Sequence, residues 1–452
     1  MKKLSVSILG TGFVGLCSAV CFAYRGIKVI ASTHNEKKAT LINQGVAPFY
    51  EVGIEEILKE VVNRNDGNFK CLVGRKQAIL DTDISMIIVG TPMGEDKRID
   101  LTLMEKAAKE IGEVLRIKDD YHLIVVRSTV IPGTTRNLVG STIQKISGKE
   151  PGKDFGLCMQ PEFLAEGRSI EDTFYPDRIV IGEFDKKSGD TLQELYESFY
   201  GEHLKKAPIL RMNLESAELV KYGNNCLLAT KISYANEFAN LAELVPGVDI
   251  VKVMKGVGLD YRICEKFLGA GVGFGGSCFP KDINAIKAFA QTKGYNPRIL
   301  NAIIDINDDQ AIHIVDLAEN TLNDLSNKKI ALLGLAFKPG TDDMRQAPSI
   351  RIINELNRRN TSNIIGYDPK AKQSAREVLG NKIQYANNIE ELLKDADCAI
   401  IITDWDEFKT LKPSKFIRLM KNPFVIDGRR IFSFEEFDKK LTFRAIGRVA
   451  LK

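Results

Sequence analysis

The stretch Leu4-Ser-Val-Ser-Ile-Leu9-Gly10-Thr-Gly12-Phe13-Val14-Gly15 decides the fold of the first part of the chain. It reads as a short apolar strand, a glycine-rich turn and the start of an apolar helix. Glycines allow such a tight turn, and they let backbone N–H groups at a helix N-terminus approach a pyrophosphate. We therefore predict that a dinucleotide cofactor binds here, at Gly10, Gly12, Phe13, Val14 and Gly15.

The second strand of this unit lacks a feature that dinucleotide-binding units usually have. An acidic residue normally ends that strand and binds the ribose hydroxyls, but Thr33 stands there, in Val29-Ile-Ala-Ser-Thr33-His34. A neutral hydroxyl tolerates the 2′-phosphate of NADP as well as the ribose of NAD. The residues alone therefore leave the choice between NAD and NADP open.

Strand and helix patterns continue outward from this unit through the whole chain. Apolar strand patterns at 27–31, 84–90 and 122–127 alternate with helical patterns at 54–64, 103–116 and 133–146. Long helical patterns, above all 214–243, fill residues 205–320; strands return at 329–335, 363–367 and 398–403, with a helix at 347–359. The sequence predicts two Rossmann-like, doubly wound parallel-sheet α/β domains, 1–204 and 321–452, joined by a helical domain at 205–320 with a long central helix.

Composition excludes several classes of protein. The 452 residues include 63 Lys+Arg and 59 Asp+Glu, and a net charge of +4 does not indicate a nucleic-acid or membrane-surface partner. No apolar run approaches the ~20 residues that span a bilayer. The eight cysteines lack paired or metal-ligand spacing, so we expect no metal and a reducing, cytoplasmic location. Seven of them are predicted to be buried structural residues.

The eighth cysteine lies in a segment of a different kind, Gly271-Val-Gly273-Phe274-Gly275-Gly-Ser-Cys278-Phe-Pro280-Lys281-Asp282. Pro280 suits the first turn of a helix, which places Cys278 at the helix N-terminus beside Lys281. Both features favour the thiolate, the nucleophilic form of cysteine. We predict that Cys278 is a catalytic nucleophile. The alternative is a buried structural cysteine in a glycine-rich loop.

Donors and carboxylates elsewhere suit the same chemistry. Lys221 and Asn225 are four residues apart on a predicted helix, so both can donate to one substrate oxygen that becomes an oxyanion. Glu162 and Glu166 follow Pro161, and one carboxylate of this pair is the better candidate for a general base. Taken alone, Lys221 is better interpreted as a solvated surface lysine.

These segments resemble the UDP-glucose/GDP-mannose dehydrogenase family. The resemblance lies in 274–282, in 161–167 with Tyr175-Pro-Asp-Arg-Ile-Val-Ile-Gly182, in Glu218–Lys221 with Asn225, in Gly334–Arg345 and in Asp427-Gly-Arg429, so it covers residues 1 to about 435. The segment 161–167 is most similar to that of family members that act on UDP-glucose. A 4-epimer substrate, UDP-galactose, stays open, as do GDP-mannose and a UDP-N-acetylhexosamine.

The resemblance implies a four-electron oxidation of a sugar CH2OH group to a carboxylate by two NAD, with NADP possible because of Thr33. Cys278 would form a thiohemiacetal and then a thioester, which water activated near Glu162, with Thr129 and Asp282, would hydrolyse. Lys221 and Asn225 would stabilise the oxyanion. A simple two-electron hydroxyacid dehydrogenase and a non-catalytic nucleotide-sugar sensor are the alternatives, but neither needs this set of side chains.

The resemblance also implies the remaining binding residues and a homodimer. Besides the glycine-rich turn, the cofactor would contact Thr33, Thr91, Thr129 and Arg345. The nucleotide sugar would contact Glu162, Phe163, Leu164, Glu166, Lys221, Asn225, Arg262, Phe267, Gly273, Phe274, Gly275, Lys338 and Arg429. The homodimer would form along the helix at 214–243, and Arg262 would reach the sugar of the neighbouring subunit.

Overall fold

The computed structural model describes residues 4–64 and 66–449, and it divides into two compact units. Unit 1 runs up to Asn224 and includes Asn284–Phe289, and unit 2 comprises Asn225–Ile283 and the chain from Ala290 onward. The division into three domains at 1–204, 205–320 and 321–452 stays a prediction.

Unit 1 is built on one eight-stranded sheet. Its elements in chain order are β1 Val6–Leu9, α1 Phe13–Tyr24, β2 Val29–Thr33, α2 Glu36–Asn43, α3 Ile54–Asn63, β3 Phe69–Val73, α4 Lys76–Leu80, β4 Ile84–Ile87, α5 Thr102–Leu115, β5 His122–Val126, a π-helix Thr135–Gly140, α6 Ser141–Ser147, β6 Phe155–Met159, α7 Ser169–Phe174, β7 Ile179–Glu183, α8 Lys186–Tyr200, a 3-10 helix Gly201–Lys205, β8 Ile209–Asn213 and the beginning of α9 Leu214–Glu243.

The strand order in this sheet is β3-β2-β1-β4-β5-β6-β7-β8. The first six strands are parallel, in the order of a dinucleotide-binding fold. Strand β7 pairs antiparallel with β6, and β8 pairs parallel with β7, so the last two strands run in the opposite direction. The sequence patterns did not predict this reversed extension.

Alternation along β1 builds a core on both faces of the sheet. Ile8 belongs to the cluster that includes Leu16 of α1, whereas Leu9 belongs to the cluster that includes Ile111 of α5. Successive residues of a strand point to opposite faces, so an apolar strand such as β1 requires helices on both sides. The sheet is therefore the middle layer of a doubly wound fold.

A chain of polar side chains crosses the centre of this sheet. Ser7 and Ser85 hydroxyls are 2.6 Å apart, Ser85 Oγ is 2.8 Å from His122 Nε2, and His122 Nδ1 is 2.9 Å from Lys118 Nζ. His122 has no exposed surface. Burial, aided by the Lys118 ammonium, lowers the pKa of His122 to about 3, so this ring is neutral in the folded protein.

Unit 2 repeats the six-strand order of unit 1. The elements after α9 are α10 Ile250–Gly258, α11 Phe279–Thr292, α12 Arg298–Leu322, β9 Lys329–Leu333, α13 Pro348–Arg358, β10 Asn363–Tyr367, α14 Lys372–Leu379, β11 Gln384–Tyr385, α15 Ile389–Leu393, β12 Cys398–Ile401, α16 Asp406–Lys409, α17 Pro413–Leu419, β13 Phe424–Asp427, α18 Phe434–Asp438 and β14 Thr442–Ala445. All of them belong to unit 2 except residues Asn284–Phe289 of α11. The sheet is parallel in the order β11-β10-β9-β12-β13-β14. The predicted fold class, two parallel-sheet α/β domains with a helical central region, is confirmed.

One sequence prediction about the cysteines is wrong. Cys264 is exposed and has a φ of +67°, whereas the six other cysteines predicted to be structural are buried. Within residues 4–64 and 66–449, no helix is both long and apolar enough to cross a bilayer. The same residues contain no group of three or more His, Cys, Asp or Glu side chains that could hold a metal ion.

Candidate active site

The glycine-rich turn of unit 1 has the geometry of a pyrophosphate cradle. Gly10 has a φ of +125°, and a Cβ there would overlap the Ile88 carbonyl oxygen, so only glycine fits. A Cβ on Gly15 would likewise overlap the Gly10 carbonyl. By contrast, no atom lies within 4 Å of a Cβ on Gly12, which begins α1 without a side-chain cap. Open space over helical N–H groups, including those of Phe13 and Val14, fits a bound dinucleotide.

Thr33 ends β2, where the ribose-binding residue of such a unit stands. Its hydroxyl accepts the N–H of Asn35 at 3.3 Å, and its carbonyl accepts the N–H of Gly74. Two nitrogen groups, one on His34 and one on Arg75, lie near the same carboxylate. His34 lies 3.7 Å and Arg75 3.0 Å from the carboxylate of Glu110. The Glu110 carboxylate places negative charge beside both groups, which disfavours a 2′-phosphate next to them.

Thr129 follows β5 in a segment held by hydroxyl groups. The Thr91 hydroxyl donates to the Thr129 carbonyl at 3.0 Å, and the Ser128 hydroxyl donates to the Val89 carbonyl at 2.7 Å. Thr91 and Thr129, both predicted to contact the cofactor, are thus brought together at the carboxyl end of the parallel strands. Ligands of open α/β sheets bind at this edge.

Glu162 and Lys221 form a buried ion pair. Lys221 Nζ lies 3.0 Å from Glu162 Oε1 and donates to the Glu162 carbonyl at 2.7 Å, and their side chains are 4% and 9% exposed. Glu162 Oε2 accepts the Leu164 N–H at 2.7 Å. Burial opposes ionisation of Glu162, but the Lys221 charge and these hydrogen bonds outweigh it and hold its pKa below the ordinary value. Glu162 is therefore a carboxylate at neutral pH.

The aromatic ring of Phe163 is fixed by a cation that the sequence analysis did not assign. The Arg178 guanidinium lies over the ring, 3.8 Å from its centroid, and donates to Asn224 Oδ1 at 2.7 Å. Lys221 Nζ lies 5.6 Å from the same ring. Phe163, Leu164 and Lys221 thus meet around Glu162, whereas Glu166 lies further along the loop and is only partly buried.

Cys278 begins helix α11 in unit 2, as the position of Pro280 predicted. It is the N-cap residue, its carbonyl accepts the Asp282 N–H at 2.8 Å, and its side chain is partly exposed. The Ser277 hydroxyl lies 3.5 Å from the Cys278 sulfur. A helix N-terminus stabilises a thiolate, and this thiol is not sealed in the core as a structural cysteine would be.

Asp282 lies one turn after Cys278 and is fully buried. Its Oδ2 accepts Asn225 Nδ2 at 2.7 Å, and its Oδ1 pairs with Lys281 Nζ at 2.5 Å. The sequence predicts that Lys281 favours the Cys278 thiolate, but its ammonium pairs with the Asp282 carboxylate. A buried carboxylate held from two sides is a fixed acceptor for the proton of a water molecule or an alcohol.

The glycine segment before Cys278 is held by α12 and α13. Asn307 Oδ1 accepts the Phe274 N–H at 2.7 Å, and a Cβ on Gly273 would lie 2.7 Å from the same oxygen. Arg351 donates to the Phe274 carbonyl at 2.7 Å. A Cβ on Gly275 would overlap the Gln346 carbonyl. These contacts require glycine at both positions, and Asn307 and Arg351 are supports that the sequence analysis missed.

The predicted nucleotide-binding cations of unit 2 differ in their surroundings. Arg429 follows β13, donates through Nε to the Ile402 carbonyl at 2.5 Å and has its pKa lowered by burial. Lys338 lies 5.5 Å from the Phe337 ring centroid. Arg345 pairs with Asp343 at 2.7 Å, and its carbonyl accepts the N–H of Gly276, beside the cysteine segment.

Arg262 and Phe267 belong to a loop that follows α10. Arg262 pairs with Asp260 at 2.5 Å, and its side chain is 73% exposed. Phe267 has a φ of +67° and contacts Phe279 edge to face, with centroids 6.3 Å apart. Phe267 is thus brought to the start of the Cys278 helix, whereas Arg262 faces solvent in this chain.

Known proteins match this chain along nearly its whole length. Models described as the NAD binding, central and UDP binding domains of the UDP-glucose/GDP-mannose dehydrogenase family match residues 4–200, 215–309 and 331–434. The UDP-glucose 6-dehydrogenase AglM of Haloferax volcanii is 42% identical to this chain, and the match covers 96% of this chain and 98% of AglM.

Two solved structures are also similar. The structure of a UDP-glucose dehydrogenase from Pyrobaculum islandicum superposes with a TM-score of 0.91 at 36% sequence identity. The match covers 99% of this chain and 98% of the Pyrobaculum chain. The structure of a UDP-D-ManNAc dehydrogenase from Pyrococcus horikoshii superposes with a TM-score of 0.86 at 28% sequence identity. The match covers 98% of this chain and 99% of the Pyrococcus chain.

Proposed function

This chain belongs to the UDP-glucose/GDP-mannose dehydrogenase family, and we propose that it oxidises UDP-glucose to UDP-glucuronate. Membership makes it an NAD-dependent oxidoreductase that acts on a nucleotide sugar. UDP-glucose is proposed because relatives named for that substrate match at 36–42% identity over nearly the whole chain. The observation that carries the chemistry is Cys278 at the N-terminus of α11, one turn before the buried carboxylate of Asp282.

The first oxidation removes a hydride and a proton from the C6 alcohol of the sugar. Bound NAD, held on the turn at Gly10–Gly15, supplies the hydride acceptor for both oxidations. We assign the proton to a water molecule held by Asp282, with Thr129 and Lys221 as its other candidate partners. Asp282 suits this role because Asn225 and Lys281 hold both of its oxygens in place.

The second oxidation proceeds through sulfur. The Cys278 thiolate adds to the aldehyde carbon and forms a C–S bond, and the resulting oxyanion is stabilised by the Lys221 ammonium and the Asn225 amide, one turn apart on α9. Loss of the remaining hydride from C6 converts this thiohemiacetal into a thioester. The aldehyde is retained on the enzyme, so one site performs both oxidations.

Hydrolysis of the thioester releases the uronate. Water adds to the carbonyl carbon, the C–S bond breaks and the thiolate leaves. Glu162 is the proposed base for this water, and its lowered pKa keeps it ionised. Because its two oxygens already bond Lys221 and Leu164, we propose that Glu162 orients the water as much as it deprotonates it. The reaction needs a reduced Cys278, and we propose a reducing compartment for this chain.

We also propose that the chain is a homodimer. Large apolar side chains are exposed on α9, just after its end and in the loop that follows α10, where Leu227 is 62%, Leu244 77% and Tyr261 93% exposed, respectively. Exposed apolar groups on neighbouring elements are typical of a protein–protein interface. Arg262, also exposed, is proposed to reach the sugar bound by the other subunit.

Turnover by the purified protein tests this proposal. A panel of UDP-glucose, UDP-galactose, GDP-mannose and UDP-N-acetylhexosamines should give the highest kcat/KM with UDP-glucose, and two NADH per sugar oxidised. Cys278→Ser should release no free uronate, whereas Cys264→Ser, at an exposed cysteine, should keep full activity. One NADH per sugar, or full turnover by Cys278→Ser, would contradict the thioester route.

A further inference from the structure

Glu218 is a buried carboxylate that the proposed mechanism does not use. It lies on α9, one turn before Lys221, and has no exposed surface. Its Oε2 accepts the N–H of Gly133 at 2.5 Å, and its Oε1 accepts the N–H of Thr135 at 2.7 Å. Both oxygens therefore bond backbone of the segment that follows Thr129.

Thr135 begins the π-helix Thr135–Gly140, and Gly133 lies two residues before it. Its N-cap residue, Thr134, makes no side-chain cap, so Glu218 performs that function from another helix. Burial raises the pKa of Glu218, while its hydrogen bonds to Thr135 and Gly133 act in the opposite direction. Burying a carboxylate costs free energy, and here hydrogen bonds to both oxygens offset that cost. π-Helical turns frequently occur at functional sites.

The segment from Thr129 to Thr135 is thus held at both ends. At its beginning, the Thr91 hydroxyl donates to the Thr129 carbonyl at 3.0 Å. At its end, the two oxygens of Glu218 hold Gly133 and Thr135. A second acidic residue of α9, Glu215, pairs with Arg136 at 2.6 Å, but this pair is about 40% exposed and well screened.

We propose that Glu218 is a positioning residue that sets Thr129 relative to Lys221. The same helix carries Glu218 and Lys221, so the two hydrogen bonds tie the Thr129 segment to the helix that carries the proposed oxyanion donor. This inference rests on the proposed function in so far as Thr129 contacts the cofactor and the attacking water. The isosteric variant Glu218→Gln keeps one acceptor but turns an amide N–H toward a backbone N–H.

A double-mutant cycle with Thr129→Ala tests the proposal. Glu218→Gln should lower kcat about tenfold, equivalent to ~1.4 kcal/mol of activation free energy, and change KM for the sugar by less than about twofold. The double variant should be no worse than the poorer single variant, because both changes remove the same function. Glu215→Gln is the matched control and should keep wild-type kcat.

Two readouts need no turnover. Titration calorimetry should give the Kd for NAD of the wild type, both single variants and the double variant. The effects of Glu218→Gln and Thr129→Ala on this Kd should also be non-additive. Amide hydrogen exchange of a peptide covering 129–140 should be faster in Glu218→Gln and unchanged in Glu215→Gln. If the wild-type protein oxidises no nucleotide sugar, the proposed function fails, and these two readouts still decide the role of Glu218.

The outcomes separate a positioning role from a merely structural one. Additive losses, or faster exchange with unchanged kcat and unchanged Kd for NAD, would overturn the proposal. If Glu218→Gln does not fold, Glu218→Asp keeps the charge but shortens the reach. It should then show the same non-additivity with Thr129→Ala, and additivity there would equally overturn the proposal.

Discussion

Removing the charge of Glu162 should destabilise the protein far more than removing an exposed carboxylate. In Glu162→Gln the ammonium of Lys221, with 4% of its side chain exposed, loses the carboxylate that lies 3.0 Å away. Breaking a buried pair by changing one partner costs about 3–5 kcal/mol, because the other charge remains desolvated. Total stabilities are about 5–15 kcal/mol, so the loss is a large part of the free energy of unfolding.

The assay is urea denaturation followed by circular dichroism at pH 7, with three variants. Glu162→Gln should lose about 3–5 kcal/mol, and Glu162→Gln/Lys221→Met should lose less, because no uncompensated charge remains. Glu55→Gln is the matched control: its pair with Lys59 is about half exposed, and it should lose less than about 1 kcal/mol. A loss below about 1 kcal/mol in Glu162→Gln would refute the reasoning, as would a double variant that is less stable than Glu162→Gln.

The pH dependence of this effect has a definite sign. The pKa of Glu162 is lower in the folded protein than its ordinary value of 4.5. Its ionised form therefore contributes stability that is fully present above pH 4.5 and is lost as the pH falls through the folded value. The difference in stability between wild type and Glu162→Gln should shrink in that acidic range.

Three further predictions concern other parts of the chain. The pKa of His122 is about 3 in the folded protein and ordinarily 6.5. The neutral ring therefore contributes stability above pH 6.5, and this contribution should decline below pH 6.5 by up to ~1.4 kcal/mol per pH unit. In urea denaturation, the free energy of unfolding of His122→Gln should depend less on pH between 6.5 and 3. Thr33→Asp should lose activity with NADP selectively, measured as kcat/KM for both cofactors, and a wild-type preference for NADP above about tenfold would contradict NAD as the cofactor. Mixing Arg262→Ala with Cys278→Ser should restore activity in heterodimers, and a fully active monomer in sedimentation would rule out the proposed exchange.

The sequence predicts those elements of the fold that depend on residues close together in the chain. The strand-turn-helix at Leu4–Gly15 follows from glycine geometry, and the apolar repeat at 214–243 matches α9 in both bounds. The predicted helix at 133–146 is a π-helix followed by α6, because one extra residue in a turn leaves little trace in an apolar period. The reversed strands β7 and β8 depend on pairing with β6, which no local pattern encodes.

The candidate site was predicted as residues but not as contacts. Residue types left Glu162 and Glu166 open, and the family resemblance selected Glu162, Lys221, Asn225 and Asp282. Their pairing joins positions 59 and 57 apart in sequence. Such pairs depend on tertiary packing, as does the choice of Asp282 rather than Cys278 as the partner of Lys281. The prediction for Cys264 was wrong because cysteine is usually buried, whereas this one lies exposed in the loop after α10 with a φ of +67°, which the residue type does not predict.

Strand β8 ends at Asn213 and helix α9 begins at Leu214, with no linking residue between them. Asn213 Oδ1 accepts the N–H of Ser216 at 2.8 Å and fixes the first turn of the helix. Each residue of an α-helix turns by about 100° and rises about 1.5 Å, so one inserted residue would swing Lys221 away from Glu162. This junction can tolerate substitutions but not a change of length, and homologous sequences should align across residues 213–221 without gaps.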